Sequence, residues 1–380
     1  MVVALAVPTL WLRAFGPGTS AGFGSNWEQM GIARSLADGR GFANPFDRFP
    51  TGPTAICAPV HPWMLAATLR LFGDTPTTAI PATILEIAIQ TAALLLLLRI
   101  SAILFATWIP GAIAAVVMMF VTEPLPQWEN ALAWLAMEAV FLGLLTGARS
   151  LWVGVGMGVA WLVSPALSLT CIAILSILRG WRQAVWCTGI AAVVIAPWMA
   201  RNTLVFRTPT FVRDNFGLEL YLSNNDIAGP RQQDTPELYL LLHPSQNADA
   251  VAELRQSGET TYFEHLQARA VDWIRTHPRR FLQLTATRIG LWWGSSWLLV
   301  TVTLSGCLGV WMLHGRPIGR AAAAAMLIYP LPYYAVHYDP RYAWPVVWLV
   351  AMFGGYVCWR ASILVRAKLG GGPRFRHWGG

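Results

Sequence analysis

The sequence predicts an all-α polytopic membrane protein with about ten transmembrane segments, interfacial helices in a first external loop and a small external helical insert. Composition is the first ground: 55% of the 380 residues are apolar and 12% charged, which one soluble core cannot accommodate. The second is that residues 100–122, 150–178, 183–200 and 289–313 contain no Asp, Glu, Lys or Arg. About 20 mostly apolar residues suffice to cross roughly 30 Å of hydrocarbon. The third is the placement of cations, nearly all of them Arg, beside alternate segment ends: Arg99, Arg149, Arg179, Arg182, Arg316, Arg320 and the tail from Arg360 to Arg376. The positive-inside rule makes those ends cytoplasmic.

In order, the segments are 1–14, 79–98, 100–121, 130–147, 150–163, 165–178, 183–200, 292–313, 319–336 and 342–360, with both termini inside. Residues 1–12 are short for a span and lack a basic start or a small-residue cleavage site, so they read as a first helix cut short at its start rather than a signal peptide. The stretch 150–178 would be about 44 Å long as a straight helix, too long for one untilted span. Ser164-Pro165 near its middle predicts a break and return, which also brings Arg149, Arg179 and Arg182 to one side. The chain then divides into an N-terminal transmembrane module, 1–200, carrying the external loop 15–78; an external helical insert, 201–290; and C-terminal segments with a basic cytoplasmic tail, 291–380.

Cys171, Cys187, Cys307 and Cys358 lie in apolar segments and only Cys57 in an external loop, so no disulfide scaffold is expected. No CxxC, GxGxxG or Walker-type loop occurs, which leaves a nucleotide-driven engine without support. The net charge of +8 fits anchoring to anionic lipid, and no nucleic-acid partner is expected.

In the first loop, Trp27, Met30, Ile32, Ala33, Leu36 and Ala37 recur at helical spacing, with Glu28, Arg34 and Asp38 on the other face and Gly39 as a stop. Pro59-Val60-His61-Pro62 opens a second helix that Gly73-Asp74 closes. Both are expected to lie at the outer membrane surface. In the insert, a cap at Ser245 to Asn247, apolar positions Val251, Leu254, Tyr262, Phe263, Leu266, Ala270, Trp273 and Ile274, and Gly258 predict two helices joined by a glycine turn. Phe211, Leu218, Leu220 and Leu222 suggest a short extended strand or two before them, and Asn224, Asn225 and Asp226 are placed towards the acceptor.

The series "ARSLADGRGF", "PVHPWMLAATLRLFG", "PWMARN", "LYLSNND", "GETTYFEHLQARAVDWIRTHPRRFLQL" and "HYDPRYAWPV" resembles the GT-C superfamily of membrane glycosyltransferases, nearest to the dolichyl-phosphate-mannose-protein mannosyltransferase-like group with its RgtA/B/C/D-like and aminoarabinose-transferase-like enzymes. The resemblance runs from about residue 25 to 350. It implies a GT-C-like bundle in a bacterial inner membrane, serving the cell envelope. There a sugar would pass from a polyprenyl-phosphate carrier to a lipid, glycan or protein acceptor at the extracytoplasmic face. The family's first loop usually carries acids where this chain has Ser25 and Asn26, and an aromatic where it has Gln29.

That departure bears on the chemistry, because a general base contributes about 10² to 10⁴-fold and an amide cannot accept the acceptor's proton. Glu28 is the nearest carboxylate; Glu123, at the mouth of a span, is the second candidate, with Glu129 as its substitute. Asn26 and His61 are placed on the substrate. For the departing phosphate, a planar Arg fork suits the oxygens. Arg341 with His337 beside it is preferred, and Arg201 and Arg288 are alternatives. No metal-ligand spacing is present, and dependence on a divalent cation stays open. Glu86 and Glu138, inside apolar segments, support a second reading as a proton-coupled or lipid transporter. A third is a degenerate family member that binds lipid-linked sugar without transferring it.

Overall fold

The computed structural model describes residues 28–46, 48–122, 128–234 and 237–368. The first expected segment, Ser25, Asn26, Trp27, Glu123 and the end of the basic tail lie outside the described residues. Among the described residues the architecture is helical throughout, with only two isolated bridges, Ala43 to Pro53 and Arg231 to Tyr338.

Helices α1 (Glu28–Ala37) and α2 (Val60–Phe72) form from the two amphipathic patterns of the first loop and stop at Gly39 and Gly73, both with positive φ. They pack face to face through Met30, Ala33, Leu65, Ala66 and Leu69. Nine of the ten expected membrane segments follow as helices in the expected order. The first of these, α3 (Ala79–Phe105), runs through Arg99 instead of stopping there, because Arg is a good helix former and sits exposed. The turn comes at Ala106, in the left-handed region with φ 54, before α4 (Ile109–Val121) with Pro110 in its first turn. Ser101 fastens the turn, its Oγ accepting from Gly111 N at 2.9 Å and donating to Thr107 O at 2.8 Å.

Helices α5 (Asn130–Leu145), α6 (Ser150–Val163) and α7 (Leu167–Arg179) come next. The break at Ser164-Pro165 is present, and the chain does return: Arg179 donates to Ala148 O at 2.6 Å and to Gly143 O and Leu144 O at 2.9 Å. Arg149, Arg179 and Arg182 therefore share one end of the bundle. Helix α8 (Trp181–Phe206) leads back to the opposite end, where the insert begins.

The insert contains α9 (Phe216–Ser223), α10 (Glu237–Leu242), α11 (Ala248–Ser257) and α12 (Glu259–Thr276). Asn247 caps α11 by accepting from Ala250 N at 3.0 Å, and Gly258, φ 83, makes the turn into α12. The strand expected from Leu218, Leu220 and Leu222 is instead α9. All three leucines are buried because the helix is covered on several sides, so their alternation carries no strand signal. Gly217 permits this, since a Cβ there would strike the carbonyl of Phe263 on α12.

Helices α13 (Pro278–Gly294) and α14 (Trp297–Met312) meet at 83°. After α15 (Pro317–Ile328) and the short α16 (Leu331–Ala335), a 3-10 turn at Pro340–Ala343 opens α17 (Trp344–Lys368). The first half of α17, Trp344 to Gly355, is buried without interruption and packs on α4, α5 and α14. Gly306 and Gly309 of α14 let the two backbones touch, a small-residue contact typical of helices in lipid.

Among the described residues three helical stretches, 76–105, 181–206 and 340–368, are long and apolar enough to cross a bilayer alone, and the bent pair α13–α14 makes a fourth. Helices α4 to α7, with 13 to 16 residues, are shorter than a full span.

Candidate active site

At the end of the bundle opposite the Arg-rich turns, the first loop, the insert and the start of α17 enclose a narrow charged cavity of ≈ 60 Å³. Glu28 enters it from the first turn of α1, Glu129 from the residue before α5, Glu219 from α9, Arg213 from the segment before α9 and Arg341 from the turn before α17. Arg341 lies over the Trp128 ring, its Cζ 3.7 Å from the centroid, with Asp339 Oδ2 3.6 Å from its Nε. Arg213 reaches Glu129 at 3.4 Å and donates to Asn215 Oδ1 at 2.7 Å, while Asn215 donates to Glu219 at 3.2 Å. Gln29 donates to Glu129 and bonds the Nδ1 of buried His61 through its own oxygen. Gln29 thus links α1 to α2 and to the residue before α5.

The carboxyls are shifted in opposite directions. Burial pushes Glu28 up, but the hydrogen bond from His243, with the nearby Arg213, outweighs it and holds the group below the usual carboxylate value. Glu219 is pushed up by burial and by Glu28, against the pull of Arg213, His243 and Arg341. Two carboxyls in one cavity with separated pKa values are what an acid–base site requires.

Two chambers open from this centre. One, of ≈ 260 Å³, shares Glu129, Asn130, Arg213, Asn215, Glu219 and Tyr342 with it and is otherwise walled by Pro165, Ala166, Phe211, Phe216, Tyr329, Pro332, Tyr333 and Val336. The other, of ≈ 550 Å³, joins at Tyr239, Gln232 and Arg341 and is also lined by Arg231, Gln233, Ser295, Tyr338 and Asp339.

Of the residues singled out from the sequence, Glu28 and Arg341 come together in the cavity, and Glu129 with them. Asn26 and Glu123 lie outside the described residues. His61 stands one hydrogen bond behind Gln29. Arg201 stands apart from the three chambers: it donates to Thr54 O at 2.7 Å and Phe42 O at 2.8 Å, riveting the outer end of α8 to the first loop. Arg288 is fully buried and donates to Ser223 O, to Asn224 Oδ1 at 3.2 Å and to Ala335 O at 3.1 Å, tying α13 to α9 and α16. His337 bonds Ser223 Oγ at 3.0 Å, and burial followed by the nearby Arg288 lowers its pKa to about 3. Asn224, Asn225 and Asp226 close the end of α9, Asp226 accepting from Trp273 Nε1 at 2.7 Å.

Arg213, Glu219, Tyr239 and His243 went unnoticed in the sequence. The polar run "VRDNFGLE" was the available signal, but nothing in the order of residues says that the insert folds over Glu28.

The insert is clasped to the loop at Ala55. Its N–H donates to Glu259 Oε1 at 2.5 Å, and its carbonyl accepts from Asp214 N at 3.1 Å. Burial raises the Asp214 carboxyl to about 7, and it raises Glu259 well above its usual value, with Asp214 adding to the effect. The folded state therefore holds these protons more tightly than the unfolded chain. The clasp's contribution to stability is full in acid and falls as pH rises from 3.8 to about 7. Asp214→Asn is expected to flatten that fall, giving a higher Tm than wild type above neutrality, as thermal unfolding in detergent across pH would read.

No protein-family model matches the sequence, and no curated protein matches it. Among solved structures, the chain is similar to the archaeal oligosaccharyltransferase AglB from Archaeoglobus fulgidus, solved in complex with an inhibitory peptide and a dolichol-phosphate. Identity is 11%, the TM-score 0.52, and the match covers 99% of this chain but 52% of that one, so the chain spans about half of its neighbour's length. The likeness is one of fold: this is a polytopic helical membrane protein whose architecture resembles that of the oligosaccharyltransferase.

Proposed function

We propose that the protein is a membrane glycosyltransferase that moves a sugar from a polyprenyl-phosphate carrier to an acceptor on the extracytoplasmic face. One observation carries this: an apolar, aromatic-walled chamber opens directly onto a cavity holding Glu28, its pKa lowered, and two Arg side chains. A prenyl chain suits the first and a sugar phosphate the second. The fold neighbour's dolichol-phosphate belongs to the same ligand class. Exposed Trp108, Trp152, Trp181, Trp186 and Trp311 belt the Arg-rich end, as aromatic residues do at a membrane surface, and basic turns favour the cytoplasm. The cavity then faces outward.

In the reaction, an acceptor oxygen or nitrogen attacks the anomeric carbon. The bond from that carbon to the phosphate oxygen breaks, and its electron pair leaves on the polyprenyl phosphate, stabilised by Arg341 and Arg213. Glu28 takes the acceptor's proton. Among the described residues no group of three or more His, Cys, Asp or Glu is arranged to hold a metal ion, and no step is routed through a cation. The acids that suggested a transporter line none of the three chambers: Glu86 bonds Gln90 at 3.1 Å and Glu138 accepts from Trp134 at 2.7 Å.

In proteoliposomes given carrier with a radiolabelled sugar and envelope lipids and glycans as acceptors, label is expected to move onto an acceptor. Ala166→Trp, which fills the apolar chamber, is expected to raise the KM for the carrier about tenfold or more. Label that crosses the bilayer still attached to its carrier would make the protein a transporter instead.

A further inference from the structure

Glu28 has no neighbouring acid in its own segment, since Ser25 and Asn26 precede it. Its partner comes from the insert. His243, just beyond α10 and 3% exposed, brings Nε2 to 3.2 Å from Glu28 Oε1. The other ring nitrogen decides the tautomer: Nδ1 accepts the backbone N–H of Ser245 at 3.1 Å and lies 2.7 Å from Ser245 Oγ. A nitrogen that accepts from a backbone N–H presents a lone pair, so the ring proton lies on Nε2 and is donated to Glu28. The ring is held edge-on against Phe46, centroids 5.7 Å apart, and beside Tyr239 at 5.0 Å.

Resting on the assignment of Glu28 as the base, we propose that His243 is the positioning residue of the transfer site. Through its Nε2–H it keeps Glu28 a carboxylate aimed at the acceptor. The other charged and titratable groups facing Glu28 are Arg213, which favours its ionised form, and Glu219, Tyr239 and Cys57, whose own ionisation it opposes. Arg213 and Glu219 are shared with the rest of the cavity. Only His243 bonds Glu28 side chain to side chain among the described contacts.

A carboxyl held below its unfolded pKa stabilises the fold above that value and loses its contribution as pH falls through the folded pKa. Without the N–H donor, burial acts unopposed by it, the folded pKa rises towards the unfolded one and the acid loss shrinks. The test compares wild type, Glu28→Gln, His243→Phe and His243→Gln, the last of which retains an N–H donor. Melting temperatures across the acid range are expected to show an acid step that is absent in Glu28→Gln, diminished in His243→Phe and restored towards wild type in His243→Gln. An undiminished step in His243→Phe overturns the proposal. Isotope-edited infrared difference spectra, wild type minus Glu28→Gln, read the same titration without any His243 variant having to fold. A Glu28 carboxyl band appearing above the usual carboxylate range is likewise fatal to the proposal.

The pH profile of sugar transfer adds a readout that a merely structural role would not move. His243→Phe is expected to shift the acid limb of kcat upward and to lower the high-pH plateau, with His243→Gln restoring both towards wild type. If the wild type transfers no sugar but the melting step still shrinks, the pairing stands and the transferase assignment fails. If sugar is transferred but the acid limb does not move, the transferase assignment stands and the role of His243 falls.

Discussion

A Glu28→Gln protein is expected to lose about 10² to 10⁴-fold in kcat for sugar transfer, with the KM for the carrier little changed. Glutamine keeps the volume and most hydrogen bonds of the side chain, so the loss isolates the carboxylate's capacity to accept a proton. Glu28 is suited to that role because it is held below the usual carboxylate value inside a cavity that also contains Arg213 and Arg341. Glu219, three residues into α9 and pushed the other way, supplies the contrast. Glu219→Gln is expected to cost no more than about tenfold, since burial pushes its pKa up and Glu28 is the group held ready to accept the proton. Single-turnover measurements on reconstituted protein would separate the two. Equal losses at both positions would mean that the cavity's total charge, and not a particular base, supports the reaction.

Gly309→Val is expected to remove most folded protein. A Cβ at Gly309 would run into the Phe353 carbonyl, and one at Gly306 would lie 2.6 Å from Val350 O, so α14 and α17 meet backbone to backbone. Neither partner is the flexible end of a side chain. Relief requires the central helix to move, at a cost of about 3 kcal/mol or more. That helix also carries the turn that holds Arg341, so any surviving protein should have a displaced phosphate site. Gly290→Ala is the control: no atom lies within 4 Å of its added Cβ, and the stability should be unchanged or slightly raised. Yield and thermal unfolding in detergent, compared for the two variants, read the difference.

Local signals were dependable where one physical cause dominated. Pro165 broke the 150–178 stretch because proline cannot donate in a helix, and Gly39, Gly73 and Gly258 ended or joined helices at positive φ. Asn247 capped where a cap was expected. They misled where burial was uniform, as in α9, or where charge was read as a breaker, as at Arg99.

For the site, the same division holds. Glu28 and Arg341 stand out by type and by their position at the outer ends of apolar segments. Arg201 and Arg288 stand out equally, and nothing in their local sequence tells that backbone carbonyls absorb their hydrogen bonds.

Hydropathy and the spacing of arginines alone determined that the chain is a helical membrane bundle with two polar insertions at one end, because partition into lipid depends on each segment's own residues. Tertiary structure alone decided which polar residues meet. The Ala55 clasp, the closure of the insert over α1 and the Glu28–His243 contact join positions some 200 residues apart. Such encounters depend on how buried faces fit and on which hydrogen bonds are left unmade, and no short window of sequence contains either partner's other half.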